Sequence, residues 1–231
     1  MSDEQSPLAN FSGTARLFPL PNLVLFPQVI QPLHIFEPRY RDLTADALTG
    51  DRLIALVLLK PGWEAGYAGA PDIHSIACIG RIVADQRLDD GRYNLLLRGL
   101  ARIRIEHEVP HGKAYRLARV ELLDDVEMTN AAEERALRKK LTRRVPAWFP
   151  AQVAAHEQFR KLLRSPLSLS ALADVVAFAL ALEVPLKQEL LEELNVERRV
   201  RRLLDYLESH EPPQGASAAA DRKFPPDFSN N

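Results

Sequence analysis

Two histidines that stand four residues apart, His107 and His111, enclose a segment that matches a metalloenzyme motif. The segment, HEVPH, has the His-Glu-x-x-His spacing of zinc metalloproteases. That spacing works on a helix, where both rings share one face and reach a zinc ion at about 2.1 Å. Here the alternating run ARIRIEHEV predicts a strand, and Pro110 would break a helix. At about 3.3 Å per residue the two histidines would lie about 13 Å apart, so we expect no zinc site.

A second charged stretch, LHIFEPRYRDL at 33–43, places an acid and two arginines directly after an apolar run. It could be an active-site cluster or the junction between a strand and a helix. Pro38 favours the junction, because its φ suits a first helical turn and its missing N–H would have no partner there. Glu37 would then cap the helix, with its carboxylate facing the free N–H groups. A catalytic role for Glu37, Arg39 and Arg41 would need a base or nucleophile that the sequence does not indicate.

The segment PGWEAGYAGAP at 61–71 carries two large aromatic residues, Trp63 and Tyr67, among glycines, prolines and small residues. It shows neither a strand period nor a helix period. Aromatic rings on a flexible loop supply contact area at little rotamer cost, which suits binding of apolar segments of varied sequence. These two residues are therefore our candidate polypeptide contacts. The alternative is that Trp63 folds back as a lid over the end of a β-barrel, since exposed tryptophan is uncommon.

Two basic runs, RALRKKLTRR at 135–144 and ERRVRR at 197–202, could contact nucleic acid. Acids neighbour both runs, at Glu133, Glu134, Glu192, Glu193 and Glu197. A solvated helix face is the simpler interpretation, because the whole chain carries a formal net charge of −1. RNA binding stays as the alternative.

The secondary-structure elements that position these residues fall into two halves of the chain. The two halves differ in the spacing of their apolar residues. From Leu17 to about Asp125, short alternating or β-branched runs separated by Pro and Gly predict strands. The run LIALVLL at 53–59 is apolar throughout and predicts a strand covered on both faces. The run at 101–109 alternates and predicts one wet face, carrying its arginines and glutamates.

Glycines mark turns and bends in this first half. Asp89-Asp90-Gly91 lies between two apolar runs and predicts a hairpin, because glycine adopts positive φ without strain. Gly80 and Gly99 stand inside predicted strands and indicate bulges that bend the sheet toward a barrel.

From Asn130 to about Ser209 the apolar period is that of helices. Asn130 followed by Glu133 can cap the first helix, and Pro166 and Pro185 suit first positions of later helices. The last helix has an apolar stripe at Val200, Leu203, Leu204 and Leu207.

These patterns predict four segments along the chain. They are a flexible N-terminus at 1–13, a β domain at 14–125, a helical domain at 126–209 and a disordered tail at 210–231. The tail is rich in proline and in small or polar residues, with too little apolar surface to offset the entropy of ordering.

Composition narrows the classes of protein to which the chain can belong. Its 231 residues allow one large or two small domains. A net charge near zero gives no electrostatic footprint for nucleic acid or an anionic membrane. The single cysteine, Cys78, cannot form an internal disulfide and fits a reducing, cytoplasmic setting. The start MSDEQSPLANFSG lacks signal-peptide features, and no run reaches about 18 apolar residues, so we expect no export and no membrane contact.

Four blocks of this sequence closely resemble the Lon N-terminal (substrate-binding) domain family, in matching order and spacing. They are LFPLPNLVLFP at 17–27, PLHIFEPRYRDL at 32–43, IGRIVADQRLDDGRYNLLLRGLARIRI at 79–105 and YRLARVELL at 115–123. Several long blocks in order are more specific than a single short motif. The resemblance covers about residues 14–209 and implies an α+β fold, with a PUA-like β-barrel or sheet domain followed by a helical bundle.

The resemblance also implies a function. In the full-length ATP-dependent protease, of peptidase family S16, this region precedes an ATPase module and a Ser-Lys proteolytic module, and it binds unfolded or degron-bearing polypeptides. Neither module is recognisable here. Gly112-Lys113 is followed by Ala114, with His107 where a Walker A loop has its first glycine, and no serine lies in a protease signature. We therefore interpret the chain as a freestanding, non-catalytic binding domain.

The leading hypothesis is a polypeptide-binding or adaptor module that requires no cofactor or metal and works with a separate ATP-dependent protease. Two rivals belong to other classes: a PUA-like RNA-binding protein, and a hydrolase whose site is assembled from residues distant in sequence. Salt dependence separates the first rival, because phosphate binding weakens steeply with salt whereas apolar capture hardly changes.

Overall fold

The computed structural model describes residues 8–9, 11–66, 69–149 and 161–212. The chain divides into two compact units, with the boundary between Leu123 and Asp124. Asp124 and Asp125, the predicted end of the β domain, therefore belong to the second unit. Most of the N-terminal segment and of the C-terminal tail lies outside the described residues.

The described residues of the first unit form six strands, one α-helix and a short 3-10 turn. The strands are β1 (Thr14–Leu20), β2 (Ile30–Ile35), β3 (Leu53–Leu58), β4 (Ile76–Arg87), β5 (Tyr93–Glu108) and β6 (Arg116–Leu123). Helix α1 (Pro38–Thr49) lies between β2 and β3, and the 3-10 turn covers Trp63–Gly66.

All six strands form one mixed sheet in the order β2-β5-β4-β3-β1-β6. β1 runs parallel to β3, and the other pairings are antiparallel. β6 pairs with β1 and also with the second half of β5, so five strands close on themselves. β2 pairs with the first half of β5. The predicted α+β fold with an N-terminal barrel or sheet is confirmed.

The closed strands surround an apolar core. Every residue of β3 is buried, as the continuous apolar run predicted. The buried members of the core are Ala15, Leu17, Leu53, Ala55, Val57, Ala77, Ile79, Ile103, Ala118 and Val120. They come from alternate positions of the strands, because successive side chains of a strand point to opposite faces.

The structure shows why two of the predicted positions require glycine. Gly91 adopts φ +80° in the turn between β4 and β5, where its N–H donates to Leu88 O at 2.9 Å. Gly80 lies opposite Gly99 in the β4–β5 pairing, next to a register shift. A Cβ on Gly99 would overlap with the carbonyl oxygen of Phe26, so only glycine lets this backbone approach so closely.

One expectation for β5 is wrong. Arg102 was assigned to a wet face, but only 3% of its surface is exposed. It pairs across the sheet with Cys78, which is itself fully buried. Alternation separates the two faces of a strand, but it does not reveal what covers the second face.

The second unit is helical. Its described helices are α2 (Ala131–Arg144), α3 (Leu169–Ala179), α4 (Val184–Glu192) and α5 (Val196–Ser209), and a 3-10 turn covers Val145–Trp148. Asn130 caps α2 as predicted, and Pro185 lies in the first turn of α4. Pro166 does not begin a helix, because α3 starts at Leu169 with Ser168 as its cap. The stripe predicted for α5 is buried.

A buried ion cluster, which no local sequence pattern predicts, joins the start of this unit to α3 and α5. Arg199 is 1% exposed and donates to both carboxylate oxygens of Asp125, at 2.9 and 2.8 Å. Its Nε lies 3.4 Å from Asp174, and its Nη2 donates to Ser170 Oγ at 2.7 Å. A buried guanidinium needs such partners, since an unpaired buried charge is costly.

No helix among the described residues is long and apolar enough to cross a membrane.

Candidate functional site

The junction between β2 and α1 is helical from Pro38 onward, with Glu37 at the N-cap position. The Glu37 carbonyl accepts hydrogen bonds from the N–H groups of Tyr40 and Arg41, at 3.0 and 2.9 Å. Its side chain makes no capping hydrogen bond and instead accepts from Arg39 Nε at 3.0 Å. The expectation that the carboxylate faces the free N–H groups is therefore wrong. Shorter side chains suit that role better, because their oxygens stay close to the backbone.

The loop at 61–71 carries the candidate polypeptide contacts. Trp63 is half-buried and begins the 3-10 turn, which the absence of a sequence period did not predict. Tyr67 lies outside the described residues. The base of the loop is held by a bridge between Leu59 and Ile73 and by a hydrogen bond from Lys60 N to Asp72 O, at 2.8 Å. Whether Trp63 contacts a polypeptide stays a prediction.

A small cavity of about 30 Å³ brings this loop and the β2–α1 junction together. Its lining residues are Pro19, Arg39, Tyr40, Leu59, Gly69, Pro71, Ala114, Tyr115 and Arg116. Arg116 holds one wall, since its Nη1 donates to Pro71 O at 2.8 Å and its Nε to Glu108 at 3.1 Å. The volume is about that of one bound water and cannot admit a side chain of another polypeptide.

Beside this cavity, a hydrogen-bonded group links α1 to the segment before β6. The Tyr115 hydroxyl donates to Asp46 Oδ2 at 2.7 Å, and Lys113 Nζ lies 3.0 Å from the same oxygen. The hydrogen bond from Tyr115, followed by that from Lys113, lowers the pKa of Asp46. Burial, followed by the hydrogen bond to Asp46, raises the pKa of Tyr115. These contacts attach α1 to the segment before β6.

A larger depression of about 250 Å³, which we call the α1–hairpin groove, opens between α1 and the turn of the β4–β5 hairpin. Its lining residues are Pro38, Arg41, Asp42, Ala45, Arg87, Gly91 and Tyr93. The sequence predicted the helix start and the Asp-Gly turn separately. Only the pairing of β2 with β5, which sets Ile35 opposite Tyr93, brings the two together.

Exposed apolar side chains lie on the first unit as well. Ile30, Phe36 and Val83 are 49%, 38% and 46% exposed, although each is a large hydrophobic residue.

The edge strand β2 pairs with β5 but is poorly suited to pair with a further strand on its other side. Pro32 has no N–H, and its carbonyl already accepts from Gln31 Nε2 at 2.6 Å.

The two histidines of the metalloprotease-like segment do not lie on a helix. His107 is in β5, and His111 follows the end of that strand. His111 Nε2 lies 2.8 Å from the carbonyl oxygen of Tyr115. Among the described residues, no group of three or more His, Cys, Asp or Glu side chains could hold a metal ion.

The two basic runs differ in their surroundings. In α5, Arg201 pairs with Glu133 and Glu197, and Arg202 pairs with Glu189. In α2, four cations are exposed and have no carboxylate within ion-pair distance among the described residues: Arg135, Lys139, Lys140 and Arg143. The prediction that neighbouring acids neutralise the basic runs therefore fits α5 better than α2.

Comparison with known proteins places these features in a family context. Residues 14–209 match the family model of the ATP-dependent protease La (LON) substrate-binding domain. The chain is 28% identical over 194 residues to a Lon protease of Anaeromyxobacter dehalogenans, and 30% identical over 195 residues to a Lon protease of Dictyoglomus thermophilum. These alignments cover 83% of this chain but 22% and 24% of those relatives, so the chain spans about a quarter of their length.

The fold is similar to those of two solved structures. The N-terminal domain of Mycobacterium avium complex Lon protease has a TM-score of 0.69 and 20% identity, over 85% of this chain and 99% of that one. The Lon N-terminal domain protein from Xanthomonas campestris has a TM-score of 0.61 and 24% identity, over 84% of this chain and 98% of that one. At these identities the similarity concerns the fold.

Proposed function

Because this chain belongs to the ATP-dependent protease La (LON) substrate-binding domain family, we propose that it binds unfolded or degron-bearing polypeptides and catalyses no reaction itself. The observation that carries the proposal is the family match over residues 14–209, which extends over both compact units. The family description names a substrate-binding domain of an ATP-dependent protease, and the substrates of a protease are polypeptides.

Two features of the first unit accord with polypeptide binding. The two cavities described above have volumes of about 30 and 250 Å³, below the roughly 300 to 1,000 Å³ of typical small-molecule sites. Exposed apolar residues, by contrast, lie on its surface at Ile30, Phe36 and Val83. Each of these side chains can contact an apolar side chain of an extended polypeptide.

We place the contact with apolar client segments at the loop of residues 61–71, with Trp63 and Tyr67 as the contacting rings. Glu64, Ala65 and Gly66 of this loop are exposed. If each ring buries about 100 Å² of apolar surface at about 25 cal/mol per Å², it contributes about 2.5 kcal/mol before ordering costs, which fits micromolar affinity.

A separate ATP-dependent protease is the partner that fits such a module, which would act as an adaptor presenting bound polypeptides for degradation. The relatives that carry this domain are named Lon proteases. A cytoplasmic setting fits a sequence whose single cysteine, Cys78, is buried.

The test is the binding of a fluorescently labelled, reduced and alkylated model protein, followed by anisotropy. We expect the wild-type chain to bind it and to leave it intact in the presence of ATP. Replacing both rings, Trp63→Ala with Tyr67→Ala, should weaken binding at least tenfold, about 1.4 kcal/mol. The control Leu122→Ala, which truncates a side chain 40% exposed on β6, should bind normally.

Three results would contradict parts of this proposal. If the wild-type chain does not bind the model protein, the proposed function itself is contradicted. Normal binding by the double variant would exclude the loop as the contact. Loss of folding in the double variant, measured by circular dichroism, would make Trp63 the core lid of the alternative interpretation.

A further inference from the structure

Two guanidinium groups face the α1–hairpin groove from different elements. Arg41 comes from α1, and Arg87 comes from the end of β4. No carboxylate among the described residues lies within ion-pair distance of either guanidinium. Most other arginines of this unit have such a partner, for example Arg16 with Asp51 and Arg52 with Asp85.

Each guanidinium lies beside another residue that lines the groove. Arg41 lies directly over Gly91, where a side chain on that residue would overlap with its guanidinium. Arg87 Cζ lies 5.9 Å from the centroid of the Tyr93 ring, within the range of a cation–π contact.

We propose that the α1–hairpin groove binds a carboxylate of the captured polypeptide, either a C-terminal carboxylate or an Asp or Glu side chain. This inference rests on the proposed function and adds a charge preference to it. The forked donors of arginine match the two oxygens of a carboxylate, and Arg41 and Arg87 can donate to it from two sides.

The charge balance of the groove favours a singly charged ligand. Asp42 also lines the groove and reduces its two positive charges to a net charge of one. The nearby Asp90 is already held by Arg92, whose Nε donates to it at 2.6 Å. A carboxylate carries one negative charge and therefore balances this net positive charge. A phosphate or a polyanion carries more than one negative charge, which the groove would not balance.

The other lining residues favour a polypeptide as the source of the carboxylate. Pro38, Ala45 and Tyr93 supply apolar surface beside the arginines. The exposed Phe36 lies one residue beyond Ile35, the register partner of Tyr93. An apolar segment that carries one acid therefore finds both kinds of contact here.

The test uses three labelled decapeptides that share one apolar sequence. The first is amidated and has no acid, the second has a free C-terminal carboxylate, and the third is amidated but carries one internal Glu. We expect the wild-type chain to bind the second, the third or both about three- to tenfold more tightly than the first. The preferred peptide identifies the source of the carboxylate.

Variants then test whether the groove causes the preference for peptides with a carboxylate. Arg41→Gln with Arg87→Gln should abolish it, while affinity for the uncharged peptide stays unchanged. Asp42→Asn should strengthen it about two- to threefold, because that change removes the negative charge of the groove. The matched control is Arg98→Gln, which changes an exposed arginine of β5 whose Nη2 donates a hydrogen bond to the neutral Gln28 at 3.2 Å. It should retain the preference.

Each outcome decides the question. Equal affinity of the wild-type chain for all three peptides overturns the inference and leaves polypeptide binding intact. A preference that survives in the double variant places the carboxylate elsewhere. A single-stranded RNA decamer that binds more tightly than the acidic peptides, and loses affinity in the double variant, would make phosphate the ligand. No binding of any peptide or of an unfolded protein overturns the proposed function together with the inference.

Discussion

At the first turns of α1 and α2, two N-cap residues bond in different ways. Asn130 Oδ1 accepts from the N–H groups of Ala132 and Glu133, at 3.0 and 3.2 Å. The longer Glu37 side chain reaches Arg39 instead. We expect Asn130→Ala to lower the free energy of unfolding by about 1 kcal/mol, as the loss of a cap does. Glu37→Ala should lower it by about 0.5 kcal/mol or less, as the loss of a surface ion pair does.

Urea denaturation of both variants measures the two losses. The order of the losses matters most, because both changes remove an N-cap side chain. A larger loss at Glu37 than at Asn130 would show that its carboxylate stabilises the helix after all. A Glu37 variant of wild-type stability that no longer binds polypeptide would make the junction a functional site.

The bond between Tyr115 and Asp46 predicts a pH-dependent contribution to stability. Because the pKa of Asp46 is lowered in the folded protein, its contribution is complete above the ordinary value of 3.8 and is lost as the pH falls through the folded value. Tyr115→Phe removes the main hydrogen bond to the carboxylate. It should lower the free energy of unfolding by about 1 kcal/mol at pH 7, and by less at pH 3.

Denaturation curves of wild type and Tyr115→Phe at several pH values between 7 and 3 measure this difference. Lys113→Gln is a second variant, since it removes the ion pair and keeps the tyrosine. A difference that stays constant over this range would show that the hydroxyl acts through packing and not through the charge of Asp46.

At the scale of elements, the pairing of β5 with the segment before β2 depends on Gly99. Its amide donates to Val29 O at 2.8 Å, and its carbonyl accepts from Gln28 N at 2.9 Å. Gly99→Ala would place a methyl group against the backbone of Phe26, which cannot move aside as a flexible side chain would. We expect a loss of about 2 kcal/mol or more in the free energy of unfolding.

The matched control is Gly66→Ala in the loop. Its added Cβ would come no closer than 3.9 Å to any neighbouring atom, so it should change stability by no more than about 0.5 kcal/mol. Thermal and urea unfolding compare the two variants. A Gly99→Ala variant as stable as Gly66→Ala would mean that the segment shifts without cost.

At the scale of the whole molecule, the exposed cations of α2 make salt the clearest test between polypeptide and RNA binding. Four phosphate contacts to a single strand would give a slope of about −2.8 in log affinity against log salt, at about 0.7 per contact. Between 50 and 300 mM salt, such binding would weaken about 150-fold. Apolar polypeptide capture should weaken by no more than about threefold, even with one carboxylate contact.

Fluorescence anisotropy with a labelled unfolded protein and with a labelled RNA gives both slopes on the same chain. The variant Lys139→Gln with Arg143→Gln tests whether α2 is responsible. Tight RNA binding that loses its salt slope in this variant would favour the nucleic-acid alternative over the proposed function.

The sequence alone determined what local periodicity and local chemistry specify. Apolar runs predicted the doubly covered β3 and the buried stripe of α5, and Asp90-Gly91 predicted the hairpin turn. Four ordered blocks indicated the family that residues 14–209 match. Each of these signals lies within one segment of the chain or in the order of segments, so no knowledge of spatial neighbours is needed to recognise it.

Only the tertiary structure decided which distant residues meet. Arg41 reaches the α1–hairpin groove from a helix and Arg87 from a strand, across 46 positions of sequence. Asp125 joins the helical unit because Arg199, 74 positions later, binds its carboxylate. The burial of Arg102 and the pairing of Glu37 with Arg39 also differ from the local expectation. Such contacts depend on strand register and on the elements that cover each face, and local patterns carry neither.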